Sequence, residues 1–167
     1  MDSIDEADAG EGGAGAPPPT TESNKLPTGV TREYARPEIR VHWYASRCIH
    51  SAACIRALPA VFDPRRRPWI DITAGTVEEI ASAVERCPTG ALKYERTDGR
   101  AESPPDVVQI TPVKNGPYFV RGTLDIHEPG TNATRRETRL ALCRCGQSRH
   151  MPLCDNTHRA IGFRSTD

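Results

Sequence analysis

The chain has 167 residues, and its 22 basic side chains balance its 22 acidic ones, so no basic excess points to nucleic acid as a partner. Hydrophobic residues make up 37% and aromatic residues 5%, which is thin for one large apolar core; small domains of that kind commonly rely on metal or cross-links. No apolar run approaches the roughly 20 residues needed to span a bilayer. The opening Met1-Asp-Ser-Ile-Asp-Glu-Ala-Asp8 lacks the basic flank and apolar centre of a signal peptide. The expectation is a cytoplasmic protein whose six cysteines stay reduced and serve metal binding or catalysis rather than disulfides.

In chain order, residues 1–36 read as an acidic, Gly/Pro-rich disordered tail with no basic residue before Lys25. Glu38 to Tyr44 alternates polar and apolar residues and predicts a strand. Cys48 and Cys54 follow, then a basic turn, Pro64-Arg-Arg-Arg-Pro68, and a second predicted strand over Trp69–Ile72. Thr76 and Glu79 form a capping-box pattern that opens a helix. Val77, Ile80, Ala81 and Val84 recur at helical spacing; one more step lands on Cys87, and Pro88 stops the helix. Ala91 to Tyr94 predicts a closing strand. Residues 97–105 are a linker by composition. Three more strands are expected, over Val107–Val113, Tyr118–Ile126 and Thr138–Leu142, the first two joined at an Asn115-Gly116 hairpin turn. Glu128 to Asn132 predicts the turn between the last two, and the final strand runs straight into Cys143.

Cys143, Cys145, Cys154 and His158 fall within sixteen residues, in a stretch broken by Gly146 and Pro152. Cys143 and Cys145 lie two apart in an extended segment and so point the same way. Cys154 and His158 lie four apart, which suits one helical turn. Three thiolates and an imidazole complete a four-ligand metal set, and a Cys3His zinc knuckle satisfies the same count.

The order Cys-x-Cys, Ser148, then Pro152-Leu-Cys154-Asp155 and finally His158 resembles the CDGSH iron–sulfur family, with Asn156 in place of the family's Gly. Asn is the next most tolerant residue where a left-handed backbone is needed. The resemblance implies a [2Fe–2S] cluster with Cys143 and Cys145 on one iron and Cys154 and His158 on the other. Ser148, Asp155 and His150 are then candidates for hydrogen-bonding support around it. A neutral imidazole in place of a thiolate raises the potential, and its free nitrogen couples reduction to pH.

The stretch from Cys48 through Cys54, Pro59, Phe62 and Trp69 to Cys87-Pro88-Thr-Gly-Ala-Leu92 resembles the small divergent mono-cluster ferredoxins. A [4Fe–4S] cluster ordinarily takes four thiolates, and the expected midpoint cysteine is Ser51 here. Three cysteines suit a [3Fe–4S] cluster; a [4Fe–4S] cluster would need His50, Ser51 or water as the fourth ligand, and a serine hydroxyl is a poor match for this soft chemistry.

Together the two sets use all six cysteines, three each. No phosphate loop or catalytic triad is present, so no enzyme activity is expected. The expected fold is α+β: a small ferredoxin-like α+β domain over 37–96, the linker over 97–105, and a small β-rich CDGSH-type domain over 106–167. The expected function is electron transfer between redox proteins, a reductase and an acceptor. The competing readings are a donor or sensor that uses the His-ligated cluster and a zinc-stabilised interaction module.

Overall fold

The computed structural model describes residues 29–127 and 132–166. Two three-stranded antiparallel sheets, with short helices, make up the architecture. The first has the order β1-β2-β3, from β1 (Arg32–Arg36), β2 (Ile39–Trp43) and β3 (Leu92–Arg96). The second has the order β4-β5-β6, from β4 (Gln109–Pro112), β5 (Tyr118–His127) and β6 (Thr134–Leu142).

Between β2 and β3 run a 3-10 turn at Ala45–Arg47, then α1 (Ala53–Ala57) and α2 (Val77–Glu85). α2 begins where its capping box places it: Thr76 Oγ1 accepts from the Glu79 backbone N–H, and the Glu79 carboxylate accepts from the Thr76 N–H. Ile80, Ala81, Ala83 and Val84 form its buried stripe. Ile80, Ala83 and Val84 pack on Ile39 and Val41 of β2, with Val61, Phe62, Ile70 and Leu92, as the larger apolar core. The second core is smaller, with Val120, Leu140 and Leu153 buried at its centre.

Two sequence expectations are corrected by the structure. Arg32–Arg36, taken as the end of a tail, is β1, paired with β2 from Arg32↔Trp43 to Arg36↔Ile39. Tyr34 is its one buried residue in a run of charged ones, so its pattern carried almost no strand signal. The rest of that tail, residues 1–28, lies outside the described residues, as does most of the turn expected at Glu128–Asn132. Trp69–Ile72 is not a strand; it makes only an isolated bridge, Phe62↔Ile70. The linker is tied down as well, because Glu102 accepts hydrogen bonds from Thr138 and Arg139 of β6.

Buried charge joins the two sheets' surroundings. The Arg47 guanidinium, one residue before Cys48, donates to both carboxylate oxygens of Glu137 on β6, at 2.8 and 3.2 Å. The Glu137 side chain has 0% exposure and that of Arg47 2%. Lys93 of β3 reaches the same carboxylate at 2.8 Å. Arg139, also buried, donates to the carbonyls of Val84, Cys87 and Leu92. Burial works against a charge on Glu137, but Arg47 and then Lys93 outweigh it and hold the carboxyl below its ordinary range.

Glu137→Ala would leave Arg47 buried without its counter-charge, and we expect a loss of about 3–5 kcal/mol by urea denaturation. Because the folded carboxyl is depressed, its contribution is present above the unfolded glutamate value of about 4.3 and is lost as pH falls through the lower folded value. The variant's stability should therefore depend less on pH in that acid window than the parent's.

Candidate metal centres

The first centre is built on the loop between β2 and α1, on α1 itself, which carries Cys54, and on the end of α2. Within that loop His50 and Ala52 both adopt left-handed backbone, with φ of 54° and 58°, which curls the chain tightly between Cys48 and Cys54. Cys87, 8% exposed, follows α2 as the helical stripe predicts. Cys48, Cys54 and Cys87 line one cavity, together with Ser51, Trp43 and Trp69. Thr89 and the apolar Ile49, Ala52, Ala91 and Leu92 complete its lining, and burial pushes the Cys48 thiol up. Burial, with the nearby Cys87 adding to it, takes Cys54 to about 11. These thiols hold their protons until a metal displaces them, so metal uptake releases protons.

The two fourth-ligand candidates differ in position. Ser51 is part of the cavity wall, and its hydroxyl accepts from the Ala53 N–H at 3.5 Å. His50 is exposed and lies outside the wall, with its Nδ1 4.0 Å from Cys48 Sγ. Sequence reading missed Thr89, whose hydroxyl lies 3.5 Å from Cys87 Sγ, and the two tryptophans. Thr89 also accepts from the Ala91 N–H, so it braces the turn after Cys87.

The second centre forms where β6 ends. The Cys143 N–H donates to Pro152 O and the Cys154 N–H to Ala141 O, each at 2.8 Å, and Leu142 bridges Leu153 antiparallel. This short ladder sets Cys143 and Cys154 diagonally across the Leu142–Leu153 bridge, where alternation puts both on the same face. Cys143 and Cys145 bring their sulfurs to 3.7 Å. The last donor comes from α3 (Thr157–Ala160), which presents His158 Nδ1 3.3 Å from Cys154 Sγ. The side chains thus stand in two pairs, Cys143 with Cys145 and Cys154 with His158. Among the described residues no three His, Cys, Asp or Glu side chains close on a single ion's position. Burial raises the Cys145 and Cys154 thiols and lowers His158, so the imidazole is held neutral, as a ligand must be.

The supporting residues hold the loop's backbone. Ser148 Oγ donates to Leu153 O at 2.6 Å and accepts from the His150 N–H at 3.1 Å. Asp155 accepts from the backbone N–H groups of Arg149 and Thr157, each at 3.0 Å. Burial opposes its charge, but hydrogen bonds from Thr157 and Arg149 outweigh that and hold it at about 2. His150 Nδ1 is buried without a partner. Asn156 has φ 77°, the left-handed conformation its place in the motif requires, and its N–H donates to Cys154 Sγ at 3.4 Å. His42, flanked by Glu33 and Glu95, and His127, beside Thr134, belong to neither centre.

The donor chemistry fits iron–sulfur groups: a desolvated three-thiol cavity, and a three-thiol, one-imidazole set arranged in pairs. The chain is an iron–sulfur-binding protein. Residues 34–97 match the family described as "Divergent 4Fe-4S mono-cluster" and residues 115–159 the one described as "Iron-binding zinc finger CDGSH type"; the chain belongs to these families, joined in that order. Neither describes an enzyme. Two curated relatives, both "Uncharacterized protein YjdI", come from Escherichia coli strains K12 and O157:H7. Each is 35% identical over 66 residues, which is 40% of this chain and 87% of the relative. Among the described residues no helix is long and apolar enough to cross a membrane.

Asn156 offers a direct check on the loop. Asn156→Gly should hold stability and metal content level, because glycine adopts φ near 77° freely. Asn156→Val should lose about 1–2 kcal/mol or more, read as faster bleaching of visible absorbance on warming.

Proposed function

We propose that the chain is an electron carrier with two iron–sulfur centres. The first is held by Cys48, Cys54 and Cys87, and the second, a [2Fe–2S] cluster, by Cys143, Cys145, Cys154 and His158. The observation that carries this reading is that the two donor loops meet. Ile49, next to Cys48, is 4% exposed and shares one buried cluster with Ala141 and Cys154, against Phe119. A ligand loop from each half is therefore packed into common apolar contact, through Ile49 beside Cys48 and through Cys154 itself.

Bound at these donors, the clusters supply reversible one-electron chemistry. The chain's own residues select and insulate. Arg47 and Glu137 anchor the Cys48 loop on β6, and the indoles of Trp43 and Trp69 help wall the first cavity. Three thiolates at that cavity match a [3Fe–4S] cluster; a [4Fe–4S] cluster would draw on Ser51 or solvent. His158 contributes a neutral ligand and so sets its centre at a higher potential than an all-thiolate one. The first half is read as ferredoxin-like, the protein as cytoplasmic, and the partners as a reductase and an acceptor that are themselves redox proteins.

A second reading, donation of the His158-bound cluster to an apo-acceptor, is favoured by the thin cover on that loop. Met151 is 39% exposed and Ile161 50%. Repeated anaerobic reduction by dithionite and reoxidation, followed by EPR and bound iron, separates the two. The carrier reading predicts that both centres cycle with iron retained. Iron passing to an added apo-ferredoxin without reduction would instead establish the donor.

A further inference from the structure

Buried polar atoms almost always have hydrogen-bond partners, so each one without a partner calls for a physical reason. Two of these atoms are at the same place. Trp43 Nε1 and Trp69 Nε1 are both buried and unpartnered, and both residues line the cavity that holds Cys48, Cys54 and Cys87. An indole N–H can only donate, and burying it without an acceptor costs about 1–3 kcal/mol.

The rings are fixed from both directions. Trp43 ends β2, paired with Leu92, and the Trp69 carbonyl accepts from the Asp63 N–H at 2.9 Å. Their centroids lie 5.1 Å apart at 70°, and Trp69 also packs 6.0 Å from Phe62. In an edge-to-face pair one indole N–H can point at the other ring, a weak contact, but the reverse contact cannot form at the same time. At least one donor is thus left without an acceptor from the protein. Neutral thiols are weak acceptors, whereas an anionic sulfur takes a charge-assisted bond roughly twice as strong.

We propose that Trp43 and Trp69 form a donor wall for the first centre, at least one of them giving its indole N–H to a sulfur of the cluster bound by Cys48, Cys54 and Cys87. The proposal rests on the reading that this cavity holds an iron–sulfur cluster. A hydrogen bond to cluster sulfur favours the more negative, reduced state, so the wall raises that centre's potential. The two rings also keep water from the sulfurs.

The test uses the full chain purified without oxygen. Trp43→Phe and Trp69→Phe keep an aromatic ring and remove the N–H. The potential of the first centre should fall in at least one variant by the equivalent of a tenfold change in its oxidised-to-reduced ratio, ~59 mV for one electron. The second centre's potential should stay unchanged. Indole-15N-labelled wild-type protein supplies a measurement that does not depend on a variant folding: a donor to the cluster should show a hyperfine-shifted 15N resonance. Wild type with iron, sulfide and a normal first-centre spectrum, but with no shifted indole resonance and an unchanged potential in whichever variants fold, overturns the donor wall alone. Wild type with no cluster at Cys48, Cys54 and Cys87 overturns the reading of the cavity, and the donor wall falls with it.

Discussion

The carboxylate of Glu137, with no exposed surface and with Arg47 and Lys93 closing on it, is the constraint on which the arrangement of the two centres depends. It sits on β6, six residues before Cys143, and it holds the guanidinium that immediately precedes Cys48. One ion pair thereby ties the start of the first ligand loop to the strand that delivers the second. Buried pairs of this kind contribute little net stability against apolar replacements, because desolvation offsets most of the attraction. Their stronger effect is on register: a charge with one buried partner cannot slide. Arg139 reinforces the same seam by capping carbonyls at the end of α2, including that of Cys87. Gly90 belongs to it too. Its φ is +63°, and a Cβ there would lie 2.8 Å from Arg139 O and 3.0 Å from Arg47 Nη2. The turn after Cys87 has room for glycine only.

Features written in local chemistry were legible in the sequence. The Thr76–Glu79 capping box, the delivery of Cys87 at the helix end, the Asn115-Gly116 turn and the pairing of Cys154 with His158 all depend on neighbours within a few residues. The left-handed residue at Asn156 was equally local. The seam between the halves was not legible. Arg47, Glu137 and Arg139 are charged, and charged residues read as surface unless a partner distant in the chain is known. β1 was missed because Tyr34 alone among its residues is buried, so nothing alternated. The strand expected at Trp69–Ile72 had suitable residues but no neighbouring strand to complete a ladder. Ser148 and Asp155 were singled out as candidates for support around a cluster; the structure shows each of them bonded to backbone of the loop.

The two donor sets sit in unlike surroundings. The cavity of Cys48, Cys54 and Cys87 is lined mostly by aromatic and apolar residues, with Ser51 and Thr89, and its wall contains two indoles with unsatisfied donors. The set at Cys143, Cys145, Cys154 and His158 is held by a surface loop, with backbone clamps from Ser148 and Asp155 and with exposed Met151 close by. Ligand type and hydrogen bonding to sulfur are among the levers that set cluster potentials, and both differ between these sites. Ile49 and Cys154 share a buried cluster, so the two environments meet without merging.

The central claim, that one folded chain carries two iron–sulfur groups of different kinds, is tested most directly by iron, zinc and acid-labile sulfide analysis combined with EPR on protein isolated without oxygen. The account predicts brown protein with iron and sulfide in excess of a single two-iron cluster, and two separable EPR signals, one from a two-iron centre and one from a three- or four-iron centre. Colourless protein with zinc and no acid-labile sulfide would contradict it.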